Sequence, residues 1–242
     1  MAEQHRAAVR VSGAHHLSWN GRLAGAAPER KVKGVARWDH TIEYADDTVN
    51  TPLKDMFANA RVYNQDPETL QSYREAVKTV LHENTHLLAA EGSEHGDAEQ
   101  AFRNPSVRAL EEGITEVYSH TELDQHIDDL GLEDIAPGIS SADAKPSYKQ
   151  FTPAAGRFAE TIGRRSGLES GDVVNRLAVV NAEQKFRVAA ELVYDNSNLP
   201  ELVPDQERPA AIGRIEAAMK PAFADVDAID KTDDRKLRRE SA

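Results

Sequence analysis

Two histidines and a glutamate stand in the order His-Glu-x-x-His at His82, Glu83 and His86. On an α-helix, residues four apart lie one turn above each other, so the two imidazoles can point at a single position. Neutral imidazole is a good zinc ligand, and a glutamate beside the pair can take a proton from a metal-activated water. The motif therefore predicts hydrolytic chemistry, with zinc as the cofactor, His82 and His86 as ligands and Glu83 as the general base.

The residues around this motif predict the helix that it requires. Asp66 is a good N-cap, Pro67 suits the first helical position, and Gly92 is a plausible C-cap. Between them, apolar residues at helical spacing share one stripe: Leu70, Tyr73, Val77, Val80, Leu81 and Leu88. His82 and His86 fall nearly opposite that stripe, so we expect the stripe to pack in a core. The alternative is a solvated helix face that carries two surface histidines beside an acid.

A catalytic zinc site needs a third protein ligand, and the next predicted helix carries candidates. This helix is expected to open at an Asn-Pro pair and to close at a glycine, over residues 104–131. Glu112 and Glu116, four positions apart, share the side opposite its apolar residues, whereas Glu111 lies about 100° from Glu112 around the helix. The third ligand is therefore expected among these glutamates, with His95 in the preceding loop as an alternative.

The two motifs together resemble the gluzincin metallopeptidases. In that family, a glutamate before a small residue on a later helix ligates zinc, which implies Glu112, just before Gly113, as the third ligand. An acid one turn later often orients a ligating histidine, which implies a supporting role for Glu116. The resemblance covers residues 66–130, and it implies a zinc peptidase that acts on a peptide or protein substrate.

Amide hydrolysis further requires a donor that stabilises the oxyanion. The hydroxyl and imidazole candidates are Tyr118, His120, His126 and Tyr194. Tyr194 is the preferred catalytic donor, because it is a polar residue at the end of a predicted helix before a loop. For each candidate, the alternative is a structural role as a buried tyrosine or a surface histidine.

The N-terminal part of the chain predicts little regular structure before residue 35. Residues 1–34 lack clear periodicity and are expected to form a flexible arm, in which His15 and His16 are polar surface residues. Residues 35–49 have the alternation and β-branched content of one or two short strands. Such strands could bind substrate backbone along a free edge, or they could merely cover the core.

The C-terminal part predicts helices. Residues 131–147 collect turn-forming residues and are expected to form a linker or a long loop. Three helical stretches follow, at 148–166, 172–194 and 209–223. Residues 225–242 carry mixed charges and few apolar side chains, which is typical of a solvated tail.

Composition limits the classes of function. The 242 residues carry a net charge of −12, whereas a nucleic-acid-binding surface normally presents a basic patch. No window approaches the ~20 apolar residues of a membrane-spanning helix, and the first ten residues lack the apolar core of a signal peptide. The chain has no cysteine, which excludes disulfides and cysteine-based zinc sites. We therefore expect no nucleic-acid or membrane partner, and a cytoplasmic location.

These observations predict a mostly helical α+β protein with one catalytic domain. Its parts are a flexible arm (1–34), a zincin-like core with a small N-terminal β element (35–130), a C-terminal helical lobe (131–224) and a charged tail (225–242). The expected function is zinc-dependent cleavage of peptide bonds. The alternatives are a zinc hydrolase of a small amide metabolite, and a non-catalytic helical binding protein with a degenerate motif.

Overall fold

The computed structural model describes residues 2–63 and 66–240, and their side chains except those of 60–63 and 227–240. Helices predominate, and the strands are only two or three residues long, so the prediction of a mostly helical α+β protein is confirmed. The α-helices are α1 (Ala2–Ser12), α2 (Thr51–Tyr63), α3 (Pro67–His86), α4 (Glu99–Phe102), α5 (Pro105–Thr121), α6 (Leu123–Asp129), α7 (Leu132–Ile135), α8 (Phe151–Ser166), α9 (Ser170–Ala178), α10 (Lys185–Asp195), α11 (Leu199–Leu202) and α12 (Arg208–Glu240). The strands are β1 (His16–Leu17), β2 (Leu23–Gly25), β3 (Gly34–Ala36), β4 (Ile42–Tyr44) and β5 (Leu88–Ala89).

The strands form two small sheets. In one, β1 pairs antiparallel with β5. In the other, the order is β2-β4-β3, with β2 parallel and β3 antiparallel to β4. The prediction of one or two strands within residues 35–49 is thus confirmed for β3 and β4. After β4 the chain forms a π-helix at Asp46–Asn50 instead of extending further.

Helix α3 begins where the sequence predicts and ends earlier. The Asp66 side chain accepts a hydrogen bond from the backbone N–H of Glu68, as an N-cap does. The helix stops at His86, however, and the assignment of Gly92 as its C-cap is wrong. The chain leaves the helix because β5 pairs with β1 directly afterwards, and Gly92 lies in a later turn with φ of 73°.

Helix α5 also begins as predicted, and the Asn104 side chain accepts a hydrogen bond from the Ser106 N–H at 3.0 Å. It ends at Thr121, because Glu122 leaves the helical conformation before α6 starts. The prediction of a single helix closed by Gly131 is therefore wrong. Gly131, with φ of 62°, follows α6, and its N–H donates to the Asp128 carbonyl at 3.0 Å.

The N-terminal segment, expected as a flexible arm, contains helix α1 with four buried residues: Gln4, His5, Ala7 and Ala8. The His5 ring stacks on Trp19 with centroids 3.8 Å apart, and it hydrogen-bonds the side chain of Asn84 in α3. These contacts fix the segment, and sequence periodicity does not reveal them because two of the four buried residues are polar. His16 lies in β1, and its Nε2 is 2.7 Å from the Glu94 carboxylate.

Residues 131–147 form a loop with two short helical turns, α7 and a 3-10 turn at Ile139–Ser141. Two cationic side chains of α3 hold this loop. The Arg74 guanidinium donates to the Ile139 carbonyl at 3.1 Å, and the Lys78 ammonium donates to the Lys145 carbonyl at 2.6 Å. The predicted loop is therefore present, and it is attached to the helix that bears the His-Glu-x-x-His motif.

The C-terminal helices differ from the prediction at one break. The stretch 172–194 forms two helices, α9 and α10, so the prediction of one continuous helix is wrong. The buried ammonium of Lys185 donates to the Leu177 and Val180 carbonyls, which satisfies backbone groups left free where α9 ends. Helix α12 runs beyond the predicted 209–223, and most of the predicted tail (225–242) lies outside the residues whose side chains are described.

Contacts among the described residues divide the chain into two compact units. The first comprises Met1–Gly96 and Tyr118–Ser147 and contains all five strands. The second, which we call the helical unit, comprises Asp97–Val117 and Tyr148–Ala242. The predicted domain boundaries at residues 34, 130 and 224 remain predictions. None of the helices, over the described residues, combines the length and the apolar character needed to cross a bilayer.

Candidate metal centre

The two motif histidines lie one turn apart on α3, with ring centroids 4.9 Å from each other and ring planes at 81°. Their exposed fractions are 4% for His82 and 8% for His86, and every residue from Ala76 to His86 is buried. The alternative of a solvated histidine face is therefore wrong. The histidines are buried because α1, α2, α6 and β3 all contact α3 and cover both sides of the helix.

A glutamate completes a possible metal-binding group. One ligand atom each from His82, His86 and Glu112 lie within 4.8 Å of one another. Two ligands of a tetrahedral zinc are about 3.4 Å apart, so a spacing within 4.8 Å is compatible with one shared ion. Two imidazoles and one carboxylate also form a donor set that catalytic zinc sites use. Within the described part of the chain, no other group of three histidine or acidic side chains meets the same distance.

Glu111, an alternative ligand, is committed to a different interaction. Its Oε2 lies 3.2 Å from the Lys185 ammonium, and both side chains are almost completely buried. Burial lowers the pKa of Lys185, and the negative charge of Glu111 opposes that shift. On the other side of Glu112, a Cβ added at Gly113 would lie 2.8 Å from the Ala155 Cβ, so α5 and α8 approach closely there. Both neighbours of Glu112 thus serve packing within the helical unit.

Glu116, predicted to orient a ligating histidine, lies one turn after Glu112 on α5 and is completely buried. This burial is compatible with the predicted supporting role, because ionised side chains are buried only where partners compensate their charge. Its contact with a ligand remains a prediction.

Glu83 packs against strand β3. Its Oε2 accepts a hydrogen bond from the Ala36 N–H at 2.8 Å, which fixes the orientation of the carboxylate. A Cβ added at Gly34 would lie 2.6 Å from the Glu83 Cγ and 2.7 Å from its Oε1. Only glycine leaves room for the glutamate in this position. The predicted general base is therefore held by two residues of one short strand.

His95, the other alternative ligand, lies in an aromatic cluster. Its ring stacks on Trp38 with centroids 4.4 Å apart, and it is 6.4 Å from the His86 ring and 6.3 Å from the His40 ring. The His40 Nε2 in turn accepts a hydrogen bond from the Gly96 N–H at 3.2 Å. His95 thus neighbours the motif histidines without belonging to the three-residue group.

Tyr194, the preferred oxyanion donor, is 2% exposed and lies in a hydrophobic cluster of the helical unit. The cluster consists of Ala190, Tyr194, Ala211 and Ile212, with Leu199, Val203, Ile215 and Met219 packed against it. The Arg208 guanidinium lies 5.7 Å from the centre of the tyrosine ring. This is the environment of a core tyrosine, as the structural alternative predicts, and the assignment to catalysis has no support from it.

The other oxyanion candidates are placed in the first unit. Tyr118 is completely buried, and burial raises the pKa of its phenol. The His120 Nε2 lies 3.3 Å from the Lys78 ammonium. His126 in α6 is completely buried as well, and burial lowers its pKa to about 4. The lowered pKa of His126 makes the stability of the fold depend on pH.

We expect the free energy of unfolding to fall as the pH drops from about 6.5 towards 4. In this window the unfolded chain protonates His126 while the folded protein does not, because the folded pKa is the lower one. Between pH 7 and pH 5 the loss from this group is about 2 kcal/mol. Urea denaturation at both pH values should show a correspondingly smaller difference for His126→Leu, whereas the exposed control His15→Gln should behave like wild type. Equal pH dependence in His126→Leu and wild type would refute this assignment.

Sequence reasoning missed the residues that position Glu83. Gly34 and Ala36 act through the backbone and through the absence of a side chain, so their types carry no chemical signal. Tyr44 in β4 is also near this glutamate, since burial and the charge of Glu83 together raise the Tyr44 pKa well above its usual value. Trp38 was missed because a stacking partner of His95 far along the chain cannot be recognised from residue type alone.

Comparison of the chain with protein-family models, with curated proteins and with solved structures gives no match. The site itself consists of two buried imidazoles, a neighbouring carboxylate that completes a possible metal-binding group, and a glutamate fixed beside a short strand.

Proposed function

We propose that this protein is a zinc-dependent hydrolase that cleaves peptide bonds and that it resembles the gluzincin metallopeptidases. The observation that carries the proposal is the group formed by His82, His86 and Glu112, whose ligand atoms lie within 4.8 Å of one another. A structural zinc site is normally closed by four protein ligands, whereas a three-ligand group leaves a position for water or substrate. The donor set thus favours a catalytic metal over a structural one.

Three side chains would bind the metal, and a fourth would transfer the proton. His82, His86 and Glu112 would hold the zinc ion. The chemistry that zinc supplies in such a site is to lower the pKa of a water to about 7 and to polarise the scissile carbonyl. Glu83 then holds the proton that this water loses and delivers it to the leaving amine. The Ala36 N–H donates to Glu83 Oε2, which fixes the orientation of the carboxylate that we assign to proton transfer.

Strand β3 is the element we propose for binding the substrate backbone. Lys33 and Arg37 hydrogen-bond β4, since the Ala45 N–H donates to Lys33 and the Arg37 N–H donates to Thr41, each at 2.8 Å. Gly34 and Ala36 therefore face the opposite edge, the one where Ala36 donates to Glu83. Because Glu83 accepts the Ala36 N–H, an extended peptide at this edge would bond the backbone of Gly34 and the Ala36 carbonyl, and it would lie beside the general base. This supports peptide over a small amide metabolite as the substrate.

The direct test is digestion of a peptide library by the zinc-loaded protein, with cleavage products identified by mass spectrometry. We expect cleavage that stops when 1,10-phenanthroline removes the metal and returns when zinc is added back. The inactive Glu83→Gln protein, loaded in parallel, controls for contaminating proteases. A zinc-loaded wild-type protein that cleaves no more than this control contradicts the proposal.

Replacing Gly34 with Ala is expected to reduce kcat/KM for a cleaved peptide by ~100-fold, because a shift of about 1 Å in a catalytic group costs this much. The added Cβ would lie 2.6 Å from the Glu83 Cγ, so the glutamate has to move. Gly25→Ala in β2 of the same sheet is the matched control, since nothing lies within 4 Å of a Cβ added there. Zinc content should be the same in both variants. Equal activity of the two variants would show that β3 does not position Glu83.

A further inference from the structure

The helical unit contains an open groove between α8 and α12 that is separate from the residues of the metal group. Its volume is 740 Å³. Its lining comes from α8 and α12, with Val193 of α10. We call it the α8–α12 groove. Its volume lies within the range of about 300–1,000 Å³ that is usual for small-molecule sites.

The lining residues extend along both helices. The lining residues of α8 span Ala154 to Arg165, and those of α12 span Ile215 to Val226. Each row covers eleven residue steps, or about 16 Å of helix at the usual rise per residue. The two walls therefore run over equal lengths, which suits a linear molecule better than a compact one.

The interior of the groove is apolar. Phe158 and Phe223, which line it, have ring centroids 5.3 Å apart in an edge-to-face arrangement, and Phe186 packs behind both. On the α12 wall, Ala218 and Ala222 are small and exposed, so they leave the groove open. A chain of methylene groups bound here would leave water and contact these rings, which is favourable in proportion to the apolar area buried.

Among the residues whose side chains the structure describes, two arginines are the only charged ones in the lining. Arg157 and Arg165 are exposed, and they lie eight positions apart on α8, or about 12 Å along the helix. The lining includes no acidic side chain from the described part of the chain, although the whole chain has a net charge of −12. A cationic, otherwise apolar groove in an acidic protein is complementary to a ligand that joins an apolar chain to an anionic group.

We propose that the α8–α12 groove binds one long-chain carboxylate, with its hydrocarbon chain over the phenylalanines and its carboxylate on an arginine. A guanidinium can donate two parallel hydrogen bonds to a carboxylate, which fixes the headgroup as well as attracting it. Thr161 lies between the two arginines on α8, but its hydroxyl donates to the Arg157 carbonyl at 2.8 Å, so the guanidiniums are the donors that we assign to the carboxylate. The proposal does not depend on the metal centre.

The experiment is isothermal titration calorimetry of the full-length protein with sodium dodecanoate below its micelle concentration. We expect binding of about one molecule per chain, and no comparable binding of dodecyltrimethylammonium, which has the same chain and the opposite charge. The double variant Arg157→Gln/Arg165→Gln should weaken dodecanoate binding at least tenfold, in line with the loss of a charge-assisted hydrogen bond. Arg164→Gln, on the same helix but outside the lining, should bind as wild type does.

A variant within the groove distinguishes dodecanoate binding from occupation of the groove by a second copy of the protein. Ala218→Trp places a large ring in the groove from an exposed position, and it should abolish dodecanoate binding with an unchanged thermal transition. The proposal is overturned if dodecanoate does not bind, or if the two detergents bind equally well and the arginine variant is unaffected. It is also overturned if Ala218→Trp only dissociates a dimer of the protein, seen by sedimentation, because the groove would then be an interface between copies.

Discussion

Replacing Glu83 with Gln is expected to lower peptide hydrolysis by about 100- to 10,000-fold while the bound metal stays in place, since positioned proton transfer typically contributes this much. The amide has the size of the carboxylate, and its oxygen can still accept the hydrogen bond from the Ala36 N–H. The fold around the site is therefore preserved. What the variant loses is the ability to hold the proton that leaves the attacking water.

The measurement is kcat/KM for a peptide from the library screen, taken together with zinc content. Glu68→Gln is the matched control, because Glu68 lies in the exposed first turn of the same helix and should retain full activity. A Glu83→Gln protein that turns over like wild type would remove the general base from the mechanism. It would leave the non-catalytic binding protein as the better interpretation.

Replacing Glu112 with Gln is expected to weaken zinc binding by at least ~100-fold, more than the 10–100-fold that follows loss of a supporting side chain. The carboxylate supplies the one negative charge in a group otherwise made of neutral imidazoles, and Gln removes that charge with little change of shape. A competition titration against a chromophoric chelator measures the affinity. If Glu116 orients a ligand, Glu116→Gln should weaken zinc binding by about 10–100-fold, as expected for the loss of a supporting side chain.

Glu111→Gln is the matched control for this substitution, one position away on α5. It should leave zinc affinity unchanged and lower the free energy of unfolding by about 3 kcal/mol, because the buried Lys185 ammonium loses its ion pair. The two variants thus separate a metal-binding effect from a stability effect. If Glu111→Gln lost the metal and Glu112→Gln kept it, the third ligand would be misassigned.

Local signals in the sequence were sufficient for the beginning of each motif helix. Asp66 with Pro67, and Asn104 with Pro105, act through hydrogen bonds and backbone restrictions within one turn, so nearby residue types determine them. Helical geometry alone also predicts that His82 and His86, four residues apart, lie on the same side of α3. These features were predicted and confirmed.

Helix ends were predicted poorly because distant residues decide them. The chain leaves α3 at His86 since β5 finds its partner in β1, about seventy positions earlier. The break between α9 and α10 is stabilised by Lys185, whose buried ammonium also needs Glu111 of α5. A glycine in the right neighbourhood, such as Gly92 or Gly131, is a weaker determinant than such tertiary contacts.

The candidate site, like the helices, could be predicted only in part. Residues with distinctive chemistry could be predicted, and His82, His86 and Glu112 are grouped in the structure. Tyr194 was chosen for its residue type and position in a helix, and it instead packs in a hydrophobic cluster. Gly34 could not be predicted at all, because its contribution is the space that it leaves for Glu83.

Zinc content decides whether His82, His86 and Glu112 bind a metal, and it is measured by elemental analysis of untagged wild-type protein beside His82→Ala, after zinc is offered and excess metal is removed. Because His82 is buried in α3 and belongs to the three-residue group, its loss should leave too few donors to hold the ion. We predict about one zinc per chain in wild type and almost none in His82→Ala, with both proteins folded by circular dichroism. Wild-type protein without bound metal, or a His82→Ala variant that retains it fully, would show that these three residues do not form a zinc site.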